Sequence, residues 1–213
     1  MIIRTSVGRV IAGLVLLAAA ADAQLADLQP GRNFPFAAPA FGNGRSEDVA
    51  MGDVDNDGDD DMVLTTFVNS IRVYIQDEGS FSGITLNSIP GSVEKVVLMD
   101  INDDGFPDLF AANPDANQVD IELGNGEGFF APYLTVPASE PEGITLADID
   151  QDGLMDVITV GTDGADLIRQ DEPGVFRHRG SYDLPSMRAA VFMEATGRLV
   201  GRGGGGVTLV DVH

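Results

Sequence analysis

One nine-residue pattern recurs three times in this chain and limits what it can fold into. The copies are Asp53-Val-Asp55-Asn-Asp57-Gly58-Asp59-Asp-Asp61, Asp100-Ile-Asn102-Asp-Asp104-Gly105-Phe106-Pro-Asp108 and Asp148-Ile-Asp150-Gln-Asp152-Gly153-Leu154-Met-Asp156. Short oxygen-bearing side chains at positions one, three, five and nine can converge on one point, and a cation makes that convergence favourable. Calcium suits the set, being a hard ion that takes roughly 6–8 oxygens at about 2.3–2.6 Å. The backbone carbonyl at position seven, from Asp59, Phe106 or Leu154, adds a further oxygen, and water completes the shell. Glycine at position six permits the sharp turn around the ion.

The EF-hand also begins Asp-x-Asp-x-Asp-Gly, but it needs a bidentate Glu at position 12 and a helix on either side. Position 12 is here Leu64, Ala111 and Thr159. After position nine comes a short β-prone apolar run, Met62-Val-Leu-Thr-Thr, Leu109-Phe-Ala-Ala or Val157-Ile-Thr-Val. The ligands therefore lead into a strand.

A second marker gives the period. Phe34, Phe81 and Phe129 each lie 19 residues before a loop, and Phe176 continues the series, with steps of 47, 48 and 47 residues. That spacing belongs to repeat architectures. Within one period four strands are expected, at Val93 to Met99, Asp108 to Asn113, Gln118 to Leu123 and Phe129 to Val136, with Gly and Asn between them. Four short antiparallel strands per repeat make a propeller blade. No amphipathic helical stretch separates them, which argues against βαβ units. The expected fold class is all-β, a β-propeller of four-stranded blades.

These residues resemble the FG-GAP/VCBS repeat family, the calcium-loop β-propeller repeats of integrin α-chains and many secreted bacterial proteins. Val49-Ala-Met-Gly-Asp53-Val-Asp-Asn-Asp-Gly-Asp-Asp-Asp61-Met-Val-Leu is close to the family's core line, and the likeness extends over about residues 33 to 170. It implies that Asp53, Asp55, Asp57, Asp61, Asp100, Asn102, Asp104, Asp108, Asp148, Asp150, Asp152 and Asp156 are the side-chain ligands of three Ca2+ ions per chain. Asn102 is an amide where the pattern has a carboxylate, so the second loop should bind more weakly.

The fourth repeat breaks the pattern, since its loop would begin at Ala195 and carry Gly197, Leu199 and Gly203 at positions three, five and nine. No side-chain calcium site is expected there. Three strands remain, at Ala189 to Glu194, Gly197 to Gly201 and Val207 to Val212, and Phe34 to Phe41 has the phase of the missing one. The expectation is four blades closed by this N-terminal strand, the alternative being half of a larger propeller completed by oligomerisation.

Met1 to Ala23 reads as a secretory signal, with Arg4 and Arg9, the apolar run Val10 to Ala21 and an Ala21-Asp22-Ala23 cleavage site. The run is too short for a membrane span. Residues 24–213 are then the propeller domain of a protein that is secreted, whether to the periplasm, the cell surface or the medium. There is no cysteine, which removes disulfides and thiolate sites and leaves calcium as the stabilising agent. A net charge of −22 makes nucleic acid and anionic membranes poor partners. Six of the basic residues, Arg169, Arg177, Arg179, Arg188, Arg198 and Arg202, fall in the last 45 positions. They suggest a surface for anionic ligands on the calcium-free blade, with Arg177 and Arg179, two apart in a strand, projecting together.

Nothing points to catalysis. His178 reads as exposed on a strand, Lys95 as an ordinary strand position, and no Gly-x-Ser-x-Gly, Walker or His-Glu-x-x-His motif occurs. The resemblance implies a non-catalytic module for binding or adhesion, with a protein or glycan as ligand. The alternatives are a polysaccharide-acting enzyme or its accessory subunit, and a structural calcium protein of an envelope or matrix.

Overall fold

The computed structural model describes residues 48–66, 70–77, 80–87, 89–182, 187–193, 197–203 and 206–211. The chain divides into two units, Met1–Phe41 and Gly42–His213, and every described residue belongs to the second. The expected signal segment and the expected closing strand, Phe34 to Phe41, lie outside the described residues.

Four antiparallel sheets follow one another along the chain, each built from consecutive strands. The first comprises β1 (Val49–Gly52), β2 (Asp61–Thr66), β3 (Ser70–Asp77) and β4 (Ser80–Asn87); the second β5 (Lys95–Met99), β6 (Asp108–Asn113), β7 (Gln118–Gly124) and β8 (Phe130–Pro137). The third holds β9 (Pro141–Ala147), β10 (Asp156–Gly161), β11 (Gly164–Glu172) and β12 (Val175–Tyr182). The fourth has three strands, β13 (Met187–Met193), β14 (Arg198–Gly203) and β15 (Gly206–Asp211). Each aspartate loop joins the first strand of a sheet to its second.

The sheets stack through their apolar faces. Strands β6 and β10 are buried at every position, because successive side chains point to opposite faces and both faces are covered. Leu109 and Ala111 join Val63, Ile71 and Val73 of the first sheet in one core, whereas Phe110 and Ala112 join Val157, Ile168 and Phe176 of the third in another. The rings of Phe110 and Phe176 meet edge to face, their centroids 5.8 Å apart. Truncating such a ring costs ~3–5 kcal/mol, so Phe110→Ala would open two blades at once. A third core sets Ala147, Ile158 and Val160 against Phe192 and Leu199.

The terminal sheets are not covered in this way. Val49 and Met51 on β1 are exposed while Ala50 between them packs inward, and Val191 and Met193 on β13 are exposed while Phe192 packs inward. Four blade-like sheets in series are thus established.

Two sequence readings change. Phe129 is exposed, and the residue that pairs with Gly124 as Phe81 pairs with Gln76 and Phe176 with Gln170 is Phe130. The β6–β7 connection, residues 114–117, is two residues longer than the 162–163 turn of the third sheet, and this displaces the equivalent phenylalanine. Lys95 is no ordinary strand residue either. Its Nζ lies 2.9 Å from Asp48 Oδ1, and Asp48 Oδ2 accepts the Val96 amide at 3.0 Å, so Asp48 ties the first sheet to the second.

Candidate calcium loops

The three aspartate loops share one hydrogen-bonded frame. The carboxylate at position one accepts two backbone amides: Asp53 from Asp57 and Gly58, Asp100 from Asp104 and Gly105, Asp148 from Asp152 and Gly153, at 2.9–3.3 Å. The carboxylate at position five accepts the amide at position seven, as Asp57 does from Asp59, Asp104 from Phe106 and Asp152 from Leu154. Position four is left-handed each time, with φ of 61° at Asn56, 60° at Asp103 and 63° at Gln151. Gly58, Gly105 and Gly153 follow at φ of 98°, 93° and 92°, where a side chain would be strained.

Position nine is the anchor. Asp61, Asp108 and Asp156 are fully buried at the start of a second strand. One oxygen accepts the amide at position two of the loop and the other accepts an amide from the third strand. For Asp61 the donors are Val54 and Gln76, both at 2.8 Å; for Asp108 they are Ile101 and Gly124; for Asp156, Ile149 and Gln170. A buried carboxylate with two such donors fixes the loop to its own sheet, and each oxygen keeps a second lone pair for an ion.

The electrostatics call for a cation. Burial, and then the surrounding carboxylates, raise the pKa of Asp55, Asp61, Asp108 and Asp156 despite those hydrogen bonds. Oδ1 of Asp55 is buried with no hydrogen-bond partner. Carboxylate oxygens of Asp53, Asp55 and Asp61 lie within 4.8 Å of one another, as do those of Asp148, Asp150 and Asp152. An all-oxygen donor set with an orphaned carboxylate oxygen fits calcium. The acidic groups of the second loop form no such cluster among the described residues. There Asn102 Nδ2 donates to Asp104 Oδ2 at 2.9 Å and Asn102 Oδ1 accepts the Asp104 amide, so the amide closes on its neighbour.

Residues 100–159 match the FG-GAP-like repeat family. That segment is similar to an FG-GAP-like repeat. It begins at Asp100, runs through the second and third loops, and ends within β10. A comparison with curated proteins finds no match. Solved structures resemble the chain at the level of fold. The WD40 β-propeller domain of Doa1 superposes with a TM-score of 0.53 at 12% identity, over 78% of this chain and 50% of that one. An Agrocybe aegerita lectin, described as specifically recognising non-reducing terminal N-acetylglucosamine, superposes with a TM-score of 0.52 at 18% identity, over 78% and 49%. The chain spans about half the length of each.

Beside the third loop's sheet strands lies a trio that the sequence did not reveal. Asp166, 2% exposed, accepts from the Ser139 amide at 2.6 Å, from the Ser181 hydroxyl, and contacts His178 Nε2 at 2.9 Å. Burial pulls its pKa up, but these bonds outweigh it and the carboxyl is held below its ordinary range. Ser, His and Asp suggest a triad, yet the same His178 nitrogen faces both Asp166 and Ser181, and the hydroxyl donates to the carboxylate. A triad needs the base to bridge from one ring nitrogen to the other. The trio pins β12 to β11 and activates no nucleophile. His178 is exposed on β12, as the sequence suggested, and one ring nitrogen reaches the buried Asp166.

The arginines need a correction. Arg169, Arg177 and Arg179 belong to β11 and β12, hence to the third sheet, because three strands of that sheet follow its aspartate loop. Arg177 and Arg179 do project together, and both contact Asp171, Arg177 Nε at 3.1 Å. The Arg179 hydrogen bond above all holds the Asp171 carboxyl below its ordinary range. Arg169 turns to the third loop and contacts Asp150.

Proposed function

We propose that the protein is a secreted, calcium-stabilised, non-catalytic β-propeller that binds a glycan or protein ligand, three Ca2+ ions sitting in the loops Asp53–Asp61, Asp100–Asp108 and Asp148–Asp156. The observation that carries this reading is the orphaned, buried Asp55 oxygen inside a frame repeated in three loops. Asp53, Asp55, Asp57 and Asp61 would hold the first ion, Asp100, Asn102, Asp104 and Asp108 the second, and Asp148, Asp150, Asp152 and Asp156 the third, with the carbonyls of Asp59, Phe106 and Leu154. When bound, calcium supplies charge neutralisation and oxygen coordination. The chain's own residues hold the loops in shape and anchor them through position nine.

Secretion is supported by the N-terminal signal pattern, and among the described residues no helix is long and apolar enough to cross a membrane. The fold likeness to a lectin makes glycans the first ligand class to test, and Arg177 and Arg179 would favour acidic ones. Closure of the sheets into a ring is part of the proposal, with Val49 and Met51 at one end and Val191 and Met193 at the other as the faces to be covered.

Thermal melting in millimolar calcium and in chelator tests the metal, since extracellular sites of this kind bind at ~10⁻⁴–10⁻³ M. A clear rise of the midpoint with calcium, and three ions per chain by metal analysis, are expected; equal midpoints would overturn the calcium reading. Retention on a glycan array without release of reducing or unsaturated ends would support a binding module, and turnover would replace it with the enzyme.

A further inference from the structure

Position three of the loop is answered differently in each repeat. In the first loop Asp55 Oδ1 meets no partner. In the second, Asn102 replaces the carboxylate and bonds to Asp104. In the third, Arg169 Nη2 forms an ion pair with Asp150 and stands 3.9 Å from Asp152 Oδ2. Arg169 immediately precedes Gln170, whose amide bonds to Asp156, and the matching positions before Gln76 and Gly124 are Ile75 and Leu123. An apolar strand position has become a cation in one repeat only, beside the acidic cluster of that repeat. Its side chain is no free surface group, being only 30% exposed, as is that of Asp150.

We infer that Arg169 is the affinity-determining residue of the third loop, a resident cation that shapes the loop without metal and lowers its affinity for calcium relative to the first loop. The inference rests on the calcium reading. A guanidinium within a few ångströms of the ion position repels it, and by pairing with Asp150 it competes for a ligand. At that range a single charge changes the affinity for a divalent ion by about tenfold even with water-like screening. The protein then has graded sites. The first loop fills first, and the third fills only as Arg169 gives up Asp150.

The glycines at position six serve as reporters, because the amides of Gly58 and Gly153 each bond to the first aspartate of their own loop. Calcium titration of the full mature chain, followed by NMR at these amides, should show Gly58 responding at lower calcium than Gly153. In R169I, which restores the residue type of the first repeat, the Gly153 midpoint should fall by about tenfold while that of Gly58 stays. R169K, keeping the charge, should remain close to wild type. Metal-free melting is the second readout: R169I should melt lower than R169K in chelator and gain more from calcium. Should R169I fail to fold, R169Q carries the same comparison. An unchanged or higher Gly153 midpoint in the uncharged variant overturns the inference alone, whereas no calcium response at either glycine, in wild type or variant, overturns the calcium reading and the inference with it.

Discussion

The side-chain amide of Gln170 donates to the backbone carbonyl of Ile101 at 3.2 Å, from the third sheet to the second calcium loop. Gln170 is 2% exposed, so the bond is shielded from water and its loss leaves a buried carbonyl without that donor. The Gly128 amide does the same for the Val54 carbonyl at 2.9 Å, from the second sheet to the first loop. The first two loops are therefore held from two sides, by position nine of their own sheet and by the sheet that follows. Gln170→Leu, which keeps most of the volume, should cost about 1–3 kcal/mol and shift the amide of Gly105 in the second loop more than that of Gly58. Denaturant titration and NMR read the two effects, and an unperturbed second loop would show that the bond does not couple the sheets.

Three aspartates of the third sheet should separate by role. Asp156→Ala leaves the amides of Ile149 and Gln170 without their acceptor and should cost about 3 kcal/mol even in chelator, with the calcium contribution lost on top when the ion is present. Asp152→Ala should lose only the calcium contribution, about 2.7 kcal/mol at a hundredfold excess of ion over Kd, and little in chelator. Asp163→Ala, in an exposed turn, should stay within about 0.5 kcal/mol in both. Denaturant midpoints with and without calcium measure all three. Equal losses for Asp152 and Asp163 would mean that the third loop holds no ion.

Acid should act with opposite sign on the metal-free and calcium-bound protein. Without calcium, the raised pKa values of Asp55, Asp61, Asp108 and Asp156 mean that the folded chain binds protons more tightly than the unfolded one. Stability should then grow as the pH falls from neutral toward the ordinary aspartate value, about 3.9, and be lost again as it rises. Asp166 and Asp171, held below the ordinary range, oppose this only below that value. With calcium saturating, protons compete with the ion for the same oxygens, and acidification should destabilise. Melting temperatures between pH 7 and 4 decide the matter; the same slope in both conditions would contradict a metal role for these carboxylates.

Because the chain has no cysteine, closure can be tested with an engineered pair. In Val49→Cys/Val191→Cys the two thiols replace exposed apolar residues on β1 and β13. Oxidation to a monomeric, faster-migrating species is expected for a ring closed within one chain. A covalent dimer would show the ends meeting between chains, as in half of a larger propeller.

How much of this was legible depends on distance along the chain. The loops and the four strands of one period rest on local spacing, and in the second sheet the structure places β5 to β8 within two residues of the expected bounds. The Phe129 marker failed because the β6–β7 connection, residues 114–117, is longer than its counterpart in the third sheet and displaces the equivalent position. Arg169 could have been noticed as the polar member of the series Ile75, Leu123, Arg169. Its partner could not, since Asp150 lies 19 residues away and is brought near only by the pairing of β9, β10 and β11. His178 is exposed as its flanking arginines suggest, but its contact with Asp166 was not legible, since that buried carboxylate belongs to the neighbouring strand.

The bond from Gln170 back to Ile101 bears on how such a chain can grow or shrink. The first two 47- to 48-residue steps each carry a loop and its anchoring aspartate, but the carbonyl behind each of these loops is capped by the sheet that follows. The segment that is copied in one piece is therefore not the segment that is stable in one piece. A tandem duplication would add one loop together with one cap, and a deletion would remove the same pair, leaving the other seams as they were. An excised single copy, by contrast, would have a carbonyl with nothing to cap it and two bare apolar faces. Length can thus drift among descendants of such a sequence while no descendant is shorter than two neighbours.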